Sequence, residues 1–366
     1  MKILYGVQGT GNGHITRARH MAESLANDES ISVDYLFSGR QYNGYFDMQV
    51  FNNYTTKRGF TFITERGQVK HAKTILNNNP LEFLKDVTNC DVSKYDLVIN
   101  DFEPVSAWAA RKKGVPSLSI SHQAAFLHQV PKKDQGLIDK IITKYFAPTT
   151  YSLGTHWYHF GHSIIPPVIS KELTSNRHIH SVSKTSQLPI LVYLPFESMA
   201  DIEEQLLILS DEDFVCYHPQ VKHHKKVKNI SFKPLSNTQF KKDLIASAGV
   251  ISNCGFELST ECLSLGKPLL VKPLRKQYEQ LSNAYTLKQL GLCELIVDLN
   301  AEDIDDWLQQ KQGVKVDFPT NCDSLVKWIK QGHWQKTDDI CATLWKQVHF
   351  PNLIKNRLDY LTNGVS

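Results

Sequence analysis

The residues of this chain best suited to chemistry fall in a few short stretches. Residues 252–284 run from Ser252-Asn253-Cys254-Gly255 through Glu261 to Gln277, Glu279, Gln280 and Asn283. A small-residue turn lets an anion approach backbone amides, and the acids and amides that follow can grip the hydroxyls of a ribose or a sugar. Residues 9–14, Gly9-Thr10-Gly11-Asn12-Gly13-His14, end in an imidazole. With an ordinary pKa near 6.5 it is mostly neutral at pH 7 and can take a proton from a hydroxyl. Asp101 and Glu103 follow an apolar run, and His122 follows another. Asp101 could orient His14, act as the base itself or hold an acceptor hydroxyl, and Glu103 could share these tasks. His122 is a third candidate, better suited to touching an acceptor or to a buried hydrogen bond. Each has a structural use as well: His14, Asp101 and Glu103 as helix caps or first-turn groups, Glu261 as a solvated helix residue.

These side chains need elements that end where they begin. Gly249-Val250-Ile251-Ser252 reads as a strand that enters the Asn253 turn, and a helical pattern then runs to Gly266. The free N–H groups and positive dipole end of that helix favour a phosphate, with Glu261 about two turns in. Lys267 to Val271 is a second strand, closed by Lys272-Pro273, and its loop delivers Gln277, Glu279 and Gln280 ahead of the helix bearing Asn283. At the N-terminus, Lys2 to Val7 is a strand and the glycine loop opens another helix. A dinucleotide fingerprint starting at Gly9 and Gly11 requires its third glycine where His14 stands, and Asp34 lies inside the next apolar run rather than at its end. The spacing argues against a nicotinamide cofactor.

The ordered block 252–284 resembles the donor-binding region of the UDP-glycosyltransferase superfamily, in which a glycine-rich turn, a helix Glu and an acid-Gln-x-x-Asn-Ala ending recur. It is also similar to the peptidoglycan N-acetylglucosaminyltransferases. The resemblance implies the GT-B architecture, α/β with two facing doubly wound, Rossmann-like parallel-sheet domains. It implies that Glu261 contacts ribose, that Glu279 and Gln280 hold the transferred sugar, and that the Cys254-Gly255 amides face the diphosphate. Gly11-Asn12-Gly13-His14 then becomes the acceptor-side loop, with His14 pointing into the cleft. Relatives carry Gly-Gly, Ser-Gly or His-Gly where this chain has Asn253-Cys254-Gly255. The expected reaction is an inverting transfer from a nucleoside diphosphate sugar, UDP by default, to an unidentified hydroxyl acceptor, a lipid-linked glycan or a small molecule. Arg275 or Lys272 could help the amides stabilise the leaving group, and no metal or other cofactor is expected. A nucleotide-sugar 2-epimerase on the same scaffold and a non-catalytic sugar-nucleotide sensor are the alternatives.

Composition agrees with an enzyme of this kind. The chain has 366 residues, 41% hydrophobic and 21% charged, with a net charge of +4. That is ordinary for a folded protein of two domains and too mild to imply nucleic-acid binding. The basic run Lys222-His223-His224-Lys225-Lys226-Val227-Lys228 reads as a solvated loop, or more sharply as a peripheral contact with a phosphate-rich or membrane surface. The aromatic stretch Tyr151 to Phe160 reads as a packed edge or a cleft wall. No apolar run approaches a spanning helix, Gly6 interrupts the apolar start before a signal segment forms, and seven cysteines without Cys-x-x-Cys pairs suggest reduced thiols. A cytoplasmic protein is expected. Apolar strands near 2–7, 31–37, 95–100 and 116–120, and again from 188, alternate with helical stretches. The expected division is 1–165 on the acceptor side and 166–349 on the donor side. A hinge is expected in the polar 170–187 stretch, and a last helix, about 350–366, is expected to pack back on the first domain.

Overall fold

The computed structural model describes residues 1–41, 44–60, 64–65, 68–69, 79–175 and 188–363, with backbone alone for 64–65, 68–69, 174–175 and 359–363. From residue 176 onward, the stretch expected to hold the hinge lies outside the described residues.

The first half builds a seven-stranded, wholly parallel sheet. Its spatial order is Tyr54–Lys57, Ser32–Ser38, Lys2–Gln8, Leu97–Asp101, Ser117–Ser121, Tyr151–Thr155 and Ile164–Ile165. The central strands are buried on both faces, which explains their continuous apolar runs. The order in which strands are added reverses between Lys2–Gln8 and Leu97–Asp101, where Val7 lies opposite Asp101. Ligands of doubly wound sheets gather at such a switch point. The helix Asn12–Ala26 follows the first strand and lays Ile15, Ala18, Met21, Ala22 and Leu25 on the core. That spacing is one helical face, and the start of the same helix carries His14 and Arg17 to Asp101 at the end of the neighbouring strand.

The second half repeats the plan. Its sheet runs Lys225–Val227, Ile230–Lys233, Phe214–Tyr217, Ile190–Tyr193, Gly249–Ser252, Leu269–Val271 and Glu294–Leu295, parallel except for the first strand. Its switch point pairs Tyr193 with Ser252. The basic run is therefore partly an edge strand, on which exposed Lys225 and Lys226 discourage pairing with another chain. Tyr54–Lys57, Tyr151–Thr155, Ile164–Ile165, Lys225–Val227 and Glu294–Leu295 are the strands that sequence pattern does not reveal, being short, polar or glycine-interrupted.

The return to the first half differs from expectation. Helices Asp323–Gln331 and Asp338–Trp345 make it, placing Leu325, Val326, Trp328, Ile329, Ile340 and Leu344 in the first core. The last helix, Asn352–Asn363, packs instead on the second core through Ile354 and Leu358, beside Leu287 and Leu290. The reason is apolar area: the two middle helices carry the wide stripes, and Ile354 and Leu358 form a narrow one that needs only a groove. The aromatic stretch also crosses over. Trp157 is fully buried in the second core and donates to Thr260 Oγ1 at 2.9 Å.

Candidate active site

The two switch points face each other, and polar side chains cross between them. His14 Nδ1 lies 2.8 Å from Asp101 Oδ1. Arg17, one helical turn beyond His14, grips both oxygens of Asp101 at 2.7 and 2.9 Å and reaches over to Glu257 in the first turn of the opposite helix. Burial alone would raise the Asp101 pKa, but the Arg17 guanidinium and His14 overcome it and hold the carboxyl below its ordinary value. Two groups reach Nδ1 of His14, Asp101 at 2.8 Å and Arg17 Nη2 at 3.1 Å; Arg17 Nη2 lies nearer Asp101 Oδ1, at 2.7 Å, and donates there, so the ionised Asp101 accepts from Nδ1–H and, in the neutral ring, Nε2 keeps its lone pair. This is the tautomer a general base needs. Glu257 is pushed up by burial, against the pull of Arg17. Asn12 belongs to the same crossing, donating to the Tyr193 hydroxyl at 3.3 Å. A Cβ on Gly13 would come within 3.3 Å of Glu257 Cγ, so this glycine lets the halves approach.

On the opposite wall of the cleft, Gly255 caps the helix Phe256–Leu265 without a side-chain hydrogen bond, and a Cβ there would meet nothing within 4 Å. The leading amides are thus open to a ligand. Cys254, at the turn, is fully buried. Its thiol is turned into the second core, so the residue type there matters for packing. Asn253 donates to the Lys272 carbonyl at 2.9 Å, and Lys272, itself buried, is paired with Glu197 at 2.8 Å. Buried Ser252 Oγ and Asn253 Oδ1 have no partner among the described residues. Glu261 is buried, and that burial raises its pKa to about 7, with Lys241 and Arg19 pulling it down and Glu257 pushing it up.

Several candidates turn out to be committed elsewhere. Glu103 is the buried N-cap of Pro104–Lys113. Its oxygens accept from Val105 and Ser106 amides at 2.8 and 2.6 Å and from Ser38 Oγ at 2.6 Å, and the side chain is fully buried, out of reach of an acceptor. Gln277 caps Tyr278–Leu290, and Gln280 Oε1 accepts from Leu274 N at 2.9 Å, so the oxygens of both hold the loop. Arg275 forms an exposed pair with Asp298 away from the turn, and of the two cations only Lys272 adjoins it. His122 is fully buried, with Nδ1 3.0 Å from the Thr155 carbonyl and Nε2 2.7 Å from Asn283 Oδ1, its ring stacked 4.0 Å from Phe256. It joins the halves rather than facing a reactant. Asn283 also donates to the Cys254 carbonyl at 3.0 Å, and Glu279 accepts from Gln123 at 3.0 Å. Gly11 caps Asn12–Ala26 without a side-chain bond, as Gly255 does opposite. Sequence reasoning missed Arg17, Glu257 and Glu197. For Arg17 a signal existed, since His14-x-x-Arg17 is the spacing of neighbours on one helical face. Glu257 and Glu197 look like ordinary first-turn and loop acids.

The sequence matches the family profile described as Glycosyl transferase family 1 over residues 1–311. The chain belongs to that family. No curated protein matches it significantly. Solved structures share its architecture. The Streptomyces sp. SF2575 glycosyltransferase SsfS6 is 15% identical, with 90% of this chain and 100% of that one covered and a TM-score of 0.55. The kitacinnamycin glycotransferase is 14% identical, covering 97% and 98%, at 0.56. Acinetobacter baumannii MurG is 15% identical, covering 90% and 99%, at 0.53. At these identities the likeness is one of fold: this family 1 glycosyltransferase has the GT-B arrangement of two doubly wound domains.

Proposed function

We propose that this glycosyltransferase moves a sugar from a nucleoside diphosphate sugar to an acceptor hydroxyl with inversion at the anomeric carbon. The observation that carries the reading is the 2.8 Å His14–Asp101 contact set across the cleft from the open helix end at Gly255. His14 Nε2 takes the acceptor proton, Asp101 stabilises the imidazolium, and the oxygen attacks opposite the departing diphosphate. The amides following Gly255 and the Lys272 ammonium meet the developing charge, so the reaction is expected to survive EDTA. SsfS6 has been crystallised with thymidine diphosphate, which supports a nucleotide in the equivalent cleft here. Glu261 would take the ribose, and Glu279, Gln280 and Asn283 the sugar, once Gln123 and His122 release them.

The acceptor side favours a lipid-linked substrate. No residue of the helix Leu137–Tyr145 is buried, and Leu137 and Ile138 are 75% and 61% exposed beside Lys140 and Lys144. Just before it Gln135 donates to Tyr278 Oη at 2.8 Å, and just after it Phe146 packs 4.9 Å from Phe102, the neighbour of Asp101. An apolar and basic helix at this position suits a membrane surface better than the Lys222–Lys228 run does. Thermal-shift titration with nucleoside diphosphates and their sugars tests the donor half, because a ligand of the native state must raise the melting temperature. Glu261→Ala should abolish the shift while His14→Ala keeps it and loses transfer. No shift with any of these ligands would sink the proposal.

A further inference from the structure

Behind the His14–Asp101–Arg17 group lies a cavity of about 20 Å3, its walls including Tyr5, Arg17, His20, Thr155, Val168 and Cys322. The Tyr5 hydroxyl and His20 Nε2 are buried without a partner among the described residues, on side chains only 0% and 6% exposed. Native interiors seldom leave such groups unpaired. His20 Nδ1 lies 3.1 Å from the Val168 carbonyl, which can only accept, so Nδ1 holds the proton and Nε2 presents a lone pair. Burial keeps that ring neutral, with its pKa lowered to about 4. Tyr5 brings an O–H donor. Arg17 spends one Nη1 proton on Glu257 and has another to give. Two donors and one acceptor on residues that line one cavity match the hydrogen-bonding capacity of one water molecule. The volume fits as well, since roughly 10–15 Å3 suffices for one water and a sugar or phosphate needs far more.

We propose that this cavity is an ordered-water site and that the water, with Tyr5 and His20, positions Arg17 and through it Asp101 and His14. The water accepts from Tyr5 Oη and Arg17 Nη1 and donates to His20 Nε2. Tyr5 and His20 are thus positioning residues, one layer behind the groups that touch substrate. The functional half rests on the proposed role of His14, and the water site does not.

Crystals of the unliganded wild-type protein, at a resolution that shows ordered solvent, should place a water within about 3.2 Å of both Tyr5 Oη and His20 Nε2. Featureless density there overturns the site. Tyr5→Phe removes only the hydroxyl. In that variant Arg17 should neutralise Asp101 less completely, so the His14 titration followed by NMR should move to higher pH. A hydroxyl with a merely structural role would lower Tm and leave the titration in place, which overturns the positioning claim. Should Tyr5→Phe fail to fold, 15N-histidine NMR of the wild type decides. His20 must be the Nδ1–H tautomer with Nε2 at the shift of a hydrogen-bonded acceptor, and an unbonded Nε2 refutes the proposal. None of these readouts needs turnover, so failure to find transfer activity would strike the proposed reaction and leave the water site standing.

Discussion

Glu261 combines burial, a pKa near 7 and no hydrogen-bond donor among the described residues, so it is poised to change protonation when a ligand arrives. The ionised carboxylate accepts from ribose hydroxyls with both oxygens and more strongly than the protonated acid does. Nucleotide binding should therefore release protons near pH 6 and tighten as pH rises toward 8, which calorimetry in buffers of different ionisation enthalpy would show. Binding with no proton release would move the ribose elsewhere. Asp101→Asn tests the other end of the cleft. An amide at that position can donate to Nδ1 and favour the wrong tautomer, so kcat should fall by about 10^2 to 10^4 while nucleotide thermal shifts stay unchanged. Residue types and order made His14, Asp101 and Glu261 visible in the chain itself. The same reasoning could not tell Glu103 from a catalytic acid, because a cap and a base differ only in what surrounds the carboxylate.

Among the elements, the helix Asn12–Ala26 bears His14 and Arg17 near its start and the buried His20 one turn further on. The native pKa of His20 is about 4, against roughly 6.5 in an unfolded chain, so the unfolded state binds the proton first. Its contribution, about 3 kcal/mol at most, is complete above pH 6.5 and disappears as pH falls toward 4. Urea unfolding should show His20→Gln losing less stability than wild type over that interval. The return helix Asp323–Gln331 puts Ile329 fully in the first core, so Ile329→Ala should cost about 2–5 kcal/mol in the same measurement. For Leu137–Tyr145, Ile138→Glu should lower sedimentation with anionic vesicles and leave folding intact, since the side chain is exposed. The long apolar strands were legible because burial on both faces leaves an uninterrupted run. Tyr54–Lys57 and Tyr151–Thr155 were not, since edge positions and crossing chains tolerate polar residues and glycine.

At the scale of the molecule, the cleft is closed by pairs that span it: Arg17 with Glu257, His122 with Asn283 and Gln123 with Glu279. Two of the groups proposed to hold the sugar are thus engaged by the opposite half, and a donor must displace those bonds. Glu257→Gln should weaken the closure, raising the radius of gyration in solution scattering; an unchanged radius would show that the other pairs and the packing at Phe256 keep the halves together without it. The sequence by itself determined the α/β repeat, the glycine turns that start the two facing helices, and the strand-turn-helix order of residues 249–290, because local period and turn chemistry are written in neighbouring residues. Tertiary structure alone decided that Arg17 joins Asp101 to Glu257, that Cys254 looks inward, and that the return to the first core is made by the 323–331 and 338–345 helices. Each of these depends on residues far apart in the chain meeting in one place, and no local pattern encodes which distant surfaces will be buried against each other.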